Sequence, residues 1–219
     1  MKGLLLNQYY SNEKSIKHSI VLSLIITTIL LLLPYEPSLR LAGFLPFITI
    51  VSPILEGLKF EAMSGWNKFL ITLPLNRSRV IQSYYLFFSI LLFIGFCVAT
   101  VSFIVANFFS KDIFTGLALT VFLKGIGMTL IMGGVTFPLT HHLGVEKAEK
   151  VMMISMVTGL GMLMMSGWLY EETIGSVMTN MFPRIHADLP FSILFLVISL
   201  LTFIASYMVA IRIYEQKEF

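Results

Sequence analysis

The sequence predicts an all-α polytopic membrane protein, a single transmembrane domain over 1–219 with six transmembrane helices. Three observations predict it. Six long apolar runs fill most of the chain: roughly Ile16 to Leu33, Leu41 to Leu55, Val80 to Phe109, Ile113 to Leu139, Val151 to Tyr170 and Pro190 to Ile211. A helix needs about 20 apolar residues to cross the hydrocarbon core, and backbone polar groups there must bond within the segment. Only 12% of the residues are charged while 57% are hydrophobic, against about 25% charged in an ordinary soluble domain. Finally, the charges stand almost wholly between the runs, where water reaches them.

The basic residues predict an orientation. With six spans both termini share a side. That side holds Lys2, Lys14, Lys17, Lys59, Lys68, Arg77, Arg79, Lys147, Lys150, Arg212 and Lys217, and the other holds Arg40, Lys111 and Arg184. The positive-inside rule then puts both termini in the cytoplasm. Because these residues are dispersed over loops, the net charge of +3 implies no nucleic acid partner. The first run ends at Pro34-Tyr35-Glu36-Pro37 rather than at a small-residue cleavage site, so it is expected to be a retained span and not a signal peptide. The single cysteine, Cys97, excludes an intrachain disulfide and a cysteine-based metal cluster. It is expected to be a small packing residue.

The N-terminal segment 1–15 mixes Leu4, Leu5, Leu6, Tyr9 and Tyr10 with Lys2, Asn7, Gln8, Glu13 and Lys14. This mixture fits an interfacial helix, with tyrosines at headgroup depth. Short connections at Pro34 to Arg40 and Ser110 to Asp112 predict that spans one and two, and three and four, are hairpin neighbours. The segment 57–79 carries the most specific pattern. Two carboxylates, Glu56 and Glu61, precede it or open it. A short apolar stretch from Trp66 to Leu73 follows, and Pro74 ends it. Asn76 or Ser78 can cap the third span. Exposed Trp66, Phe69 and Leu70 would make an apolar patch. The residues alone leave two fates for it, docking on a partner or folding back on the membrane surface.

Lys124 falls near the middle of the fourth run, where a charge costs about 2.5 to 3.5 kcal/mol on insertion scales and marks a functional candidate. It would line a translocation path, pair with Glu56 or Glu61, or snorkel to an interface. Gly125, Gly127, Gly133 and Gly134, with Gly159, Gly161 and Gly167 in the next run, permit close helix approach. Met152, Met153, Met156, Met162, Met164 and Met165 crowd the fifth run, either as ordinary packing or as an adaptable apolar surface. The segment 171–189 places Ile174, Val177, Met178, Met181 and Phe182 at helical spacing, which predicts a short amphipathic helix stopped at Pro183. His141-His142 with Glu146 lacks a third ligand and is read as a pair of solvated loop histidines. No metal site follows from it.

Two stretches carry a family resemblance. Glu61-x-x-x-x-Trp66-Asn67-Lys68-Phe69 with Leu73-Pro74-Leu75-Asn76-Arg77 resembles the cytoplasmic loop of ABC-2 type transporter permeases. Phe137-Pro138-Leu139 with Leu143-Gly144-Val145-Glu146-Lys147-Ala148 is similar to the same family after its fourth span, and the opening Met1-Lys2-Gly3-Leu4-Leu5 with Tyr9-Tyr10 is similar too. More narrowly, the chain resembles the short permease subunits of phenol-soluble modulin exporters.

The resemblance implies an ABC-2 type exporter transmembrane domain in a bacterial cytoplasmic membrane. It implies an ATPase-coupling set made of Glu61, Trp66, Asn67, Lys68, Phe69, Leu70, Leu73, Pro74 and Arg77, with a cytoplasmic coupling helix seated in an ABC ATPase subunit. ATP and Mg would sit on that partner and no cofactor on this chain, which has no G-x-x-x-x-G-K-[ST] loop. A second permease chain, identical or homologous, would complete the pore, and the cargo would be an amphipathic or hydrophobic peptide. Two alternatives stand beside this. One is a self-immunity exporter for antimicrobial peptides. The other, a secondary transporter or channel, would expect several buried ionisable residues along a path, where this sequence offers essentially Lys124.

Overall fold

Helix follows wherever the apolar runs predict it. The computed structural model describes residues 2–33, 36–64, 66, 76–109, 116–144, 147–175 and 188–216. Among these, six helices are long and apolar enough to cross a membrane. They are α1 (Lys2–Leu32), α2 (Glu36–Met63), α3 (Arg77–Phe109), α4 (Gly116–Leu143), α5 (Ala148–Tyr170) and α6 (Asp188–Gln216). A π-helical turn, Glu171–Gly175, prolongs α5. Of the 171–189 segment, 176–187 lie outside the described residues, including the expected helix stop at Pro183.

The bundle keeps an apolar core but is apolar on its outside as well. On α1 the buried stripe is Gln8, Asn12, Ile16, Ser23, Thr27 and Leu31, which is one helical face. Val21, Leu22, Ile25 and Ile29 are exposed. Where the solvent is lipid, apolar side chains gain nothing by hiding, and small or polar ones make the helix interfaces. The segment 1–15 is the N-terminal half of this same helix, which runs unbroken for 31 residues. That is about 46 Å at 1.5 Å per residue, longer than the hydrocarbon core is thick.

Prolines inside α2 and α4 leave carbonyls without an intrahelical donor. In α2, Ser52 Oγ donates to the Thr49 carbonyl at 2.9 Å, the one that Pro53 cannot serve. In α4 the missing donor comes from another helix. Ser206 Oγ on α6 donates to the Gly134 carbonyl at 2.5 Å, the partner that Pro138 lacks. Ser206 has one hydrogen to give, so the Tyr85 hydroxyl on α3, 2.7 Å away, donates to it. With its gap filled, α4 continues past Pro138 to Leu143. Gly144 then ends it at φ +86 with its N–H on the Thr140 carbonyl at 3.1 Å, the left-handed cap for which glycine is suited.

The expected hairpin of spans one and two is present, since α1 packs along α2. Spans three and four do not form one: α4 packs most closely on α6, and α3 on α1 and α2. Side-chain size explains the difference. Phe88 on α3 fills the space beside Gly133 and meets Phe137 and Phe203 in one aromatic core. That bulk keeps the α3 and α4 axes apart, whereas small residues at Gly134 and Ser206 let α4 and α6 approach. Helix α5 lies against α4 at one side of the bundle. Cys97 is exposed on α3 rather than packed, because its helix face turns away from the bundle.

Candidate functional site

The chemistry-bearing side chains gather at the two ends of the bundle. The end that holds the chain termini is closed. Glu61, in the last turn of α2, is only 6% exposed and accepts a hydrogen bond from the Tyr84 hydroxyl at 2.5 Å. It lies beyond the membrane-spanning stretch Ser38–Leu58. Burial pushes its carboxyl up to about 7, and the Tyr84 hydrogen bond opposes that rise. The Tyr84 ring meets His141 with centroids 6.0 Å apart, and His141 meets Tyr214 edge-on at 5.4 Å. Four helices, α2, α3, α4 and α6, thus converge on one carboxyl group.

A second polar layer seals this end. Gln8 Nε2 donates to Ser83 Oγ at 3.2 Å, and Asn12 Nδ2 to the Gln8 carbonyl at 2.9 Å. The Asn12 side chain occupies the space a Cβ would take at Gly57, so α1 and α2 touch there through a glycine. Ser15 Oγ reaches Glu56 at 3.1 Å. Asn76 caps α3 through its Oδ1, 3.4 Å from the Ser78 N–H. Arg77 Nη1 donates to the Glu215 carbonyl at 2.9 Å, and Ser78 Oγ to Glu215 Oε1 at 3.1 Å.

Of the residues that the resemblance assigned to coupling, Glu61, Trp66 and Arg77 are described. All three belong to this end, with Trp66 half-buried against the main core cluster. Asn67, Lys68, Phe69, Leu70, Leu73 and Pro74 lie outside the described residues. His141 corrects an expectation. It is buried inside α4 among aromatic rings, not solvated in a loop, because α4 extends beyond Pro138; His142 is exposed. Tyr84, the partner of Glu61, was visible only as half of a Tyr84-Tyr85 pair opening span three.

Among the described residues, the opposite end is open. A cavity of about 760 Å³ lies between α2, α4, α5 and α6. Lys124 lines it, 18% exposed at the side chain, with Nζ 3.5 Å from Asp188 Oδ2 and 5.1 Å from the centre of the Phe191 ring. The expected pairing with Glu56 or Glu61 is therefore incorrect, since those carboxylates stand at the other end. Lys124 stands level with Asp188, the first residue of α6. Asp188 carried no signal in the sequence beyond being an acidic residue at the mouth of the sixth run.

The chain matches the family described as ABC-2 family transporter protein over residues 3–215. No curated protein and no solved structure matches it. The matched stretch includes all six helices, both proline-containing spans and the segment between Glu61 and Arg77. The family match does not extend to the narrower likeness to phenol-soluble modulin exporters. An all-helical bundle of six spans, matched almost end to end, identifies the chain as a membrane-embedded member of the ABC-2 family of transporter proteins.

Proposed function

We propose that the chain is the permease subunit of an ATP-driven exporter of amphipathic or hydrophobic peptides, of the phenol-soluble modulin type. Its energy comes from a separate ABC ATPase subunit that holds ATP and Mg. A second permease chain, identical or homologous, completes the pore. The complex resides in a bacterial cytoplasmic membrane with both permease termini in the cytoplasm.

The observation that carries this reading is the family match over residues 3–215, which implies an ATPase partner. The convergence of Glu61, Trp66 and Arg77 supports the place of coupling. These residues lie within the segment 57–79, at the end where α1 starts and α6 finishes. A push on that segment would meet Glu61 and, through Tyr84, the helices α3, α4 and α6. The peptide cargo is supported by the sequence resemblance and by a cavity at the far end that offers both charge and apolar surface.

Replacing Trp66 by Ala, or Phe69 by Asp, should abolish transport and weaken copurification with the ATPase while the permease still inserts. Buried aromatic anchors each contribute about 2 kcal/mol or more to such interfaces. Full transport by Phe69→Asp would remove the coupling assignment. Orientation has its own measurement. In a Cys97→Ala background, a membrane-impermeant thiol reagent applied to sealed cells should label Thr179→Cys and miss Asn67→Cys. Labelling at Asn67 would reverse the orientation.

A further inference from the structure

The cavity at the open end is built as an amphipathic site. Its polar part has unused donors. The Lys124 ammonium has three hydrogens, and its partners among the described residues are one carboxylate oxygen at 3.5 Å and one aromatic face. Tyr170 also lines the cavity. It is 8% exposed, and its hydroxyl is buried with no hydrogen-bond partner among the described residues. An unmet buried donor costs about 1 to 3 kcal/mol, so a site that retains one has a use for an acceptor. Lys124 and Tyr170 adjoin each other through Phe191, whose ring lies 5.3 Å from that of Tyr170.

The remaining charges of the lining among the described residues are Arg40, Asp188 and Glu171. Asp188 is the charge that competes for Lys124. Its side chain is 55% exposed, so it can exchange Lys124 for water at little cost. The apolar part of the lining is Phe44, Val121, Leu163, Met164 and Trp168, residues that accept a hydrocarbon chain without fixing its shape. The polar part stands level with Asp188, the first residue of α6, and the apolar part beside it.

We propose that this cavity binds the oxyanionic head of an amphipath, with Lys124 donating to the head, the Tyr170 hydroxyl turning out of its buried position to join it, and Phe44, Leu163 and Met164 against the chain. The head is a carboxylate or phosphate. Its bearer is either a phospholipid of the adjoining leaflet or a free amphipath in transit. The site does not depend on ATPase coupling, so its test and that of the exporter reading fail separately.

Trp168 lies in the wall, and the chain has only two tryptophans. In the full-length Trp66→Phe chain, reconstituted in nanodiscs, Trp168 fluorescence therefore reports occupancy. An ω-bromododecanoate should quench it saturably and more strongly than the chain-matched bromo-alcohol. Lys124→Gln should weaken the carboxylate's apparent affinity about tenfold, as loss of one charged contact does. Tyr170→Phe should weaken it by a smaller factor. Asp188→Asn should tighten it, because the competing carboxylate is gone. That opposite sign separates binding from loss of fold, which would weaken all three variants alike. Two further discs, of brominated phosphatidylglycerol and of brominated phosphatidylcholine, identify the bearer. Excess quenching by the anionic lipid that disappears in Lys124→Gln assigns the site to a lipid head; carboxylate binding without that excess assigns it to a free amphipath. Equal quenching by carboxylate and alcohol, or an unchanged affinity in Lys124→Gln, would overturn the proposal.

Discussion

Glu61 at one end of the bundle and Lys124 at the other are both ionisable groups set against neighbouring helices, and the two ends treat them differently. Glu61 is enclosed by aromatic side chains from three neighbouring helices and tied by a hydrogen bond of 2.5 Å. Lys124 stands in a cavity wall with a carboxylate at 3.5 Å and room beside it. Chain direction does not cause this difference. Helix α5 does, since it lies against α4 and leaves the gap between α2, α5 and α6 that forms the cavity. Packing around a charge fixes its protonation and position. A gap around a charge leaves it available.

The pH dependence of stability tests the closed end most strongly. A carboxyl raised from 4.5 to about 7 on folding binds more protons folded than unfolded across that window. Stability therefore is fully present below about pH 4.5, falls as pH rises, and levels off above about 7. At 1.36 kcal/mol per unit the loss amounts to about 3 kcal/mol. Thermal unfolding of the purified permease between these limits should show this fall, and Glu61→Gln should flatten it. A wild-type profile that is already flat would mean that Glu61 is not enclosed.

A pair of substitutions sharpens the contrast between the ends. Tyr84→Phe removes the hydroxyl that holds Glu61 and should destabilise by about 1 to 3 kcal/mol. Because that hydrogen bond opposes the rise, the variant should also move the upper limb of the pH profile above 7. At the open end, Lys124→Gln should alter thermal stability by about 0.5 kcal/mol or less, since a partly exposed ion pair contributes little. Comparable losses from both would show that the two ends are equally packed.

Much of the fold was legible from the run lengths, because the hydrocarbon core sets a minimum that few soluble helices share. Helix ends were harder. The run from Ile113 to Leu139 suggested a span with Lys124 near its middle that ended just past Pro138, whereas α4 continues to Leu143. A serine on another helix overrides that proline, which no local pattern reveals. The closed end was legible at Glu61, Trp66 and Arg77 because their motif is contiguous in sequence. Its interior was not, since Tyr84, His141 and Tyr214 come from separate spans and meet only through packing. The pairing of Lys124 with Asp188 was hidden for the same reason. A lone acid in a polar connecting segment looks like any solvated loop residue until the helices are placed.

The hydroxyl that Ser206 lends to the Gly134 carbonyl has a consequence for how this chain tolerates change. Pro138 and Ser206 form one structural unit, written at two places in the chain. Alanine at 206 alone orphans a carbonyl at membrane depth, where no water can replace the lost donor. Alanine at 138 alone restores an amide that must contest the same carbonyl with the serine. Changed together, the helix recovers its own ladder and neither debt remains, so the double substitution should be milder than the sum of the two. Drift at these positions is expected to proceed in step, or not at all.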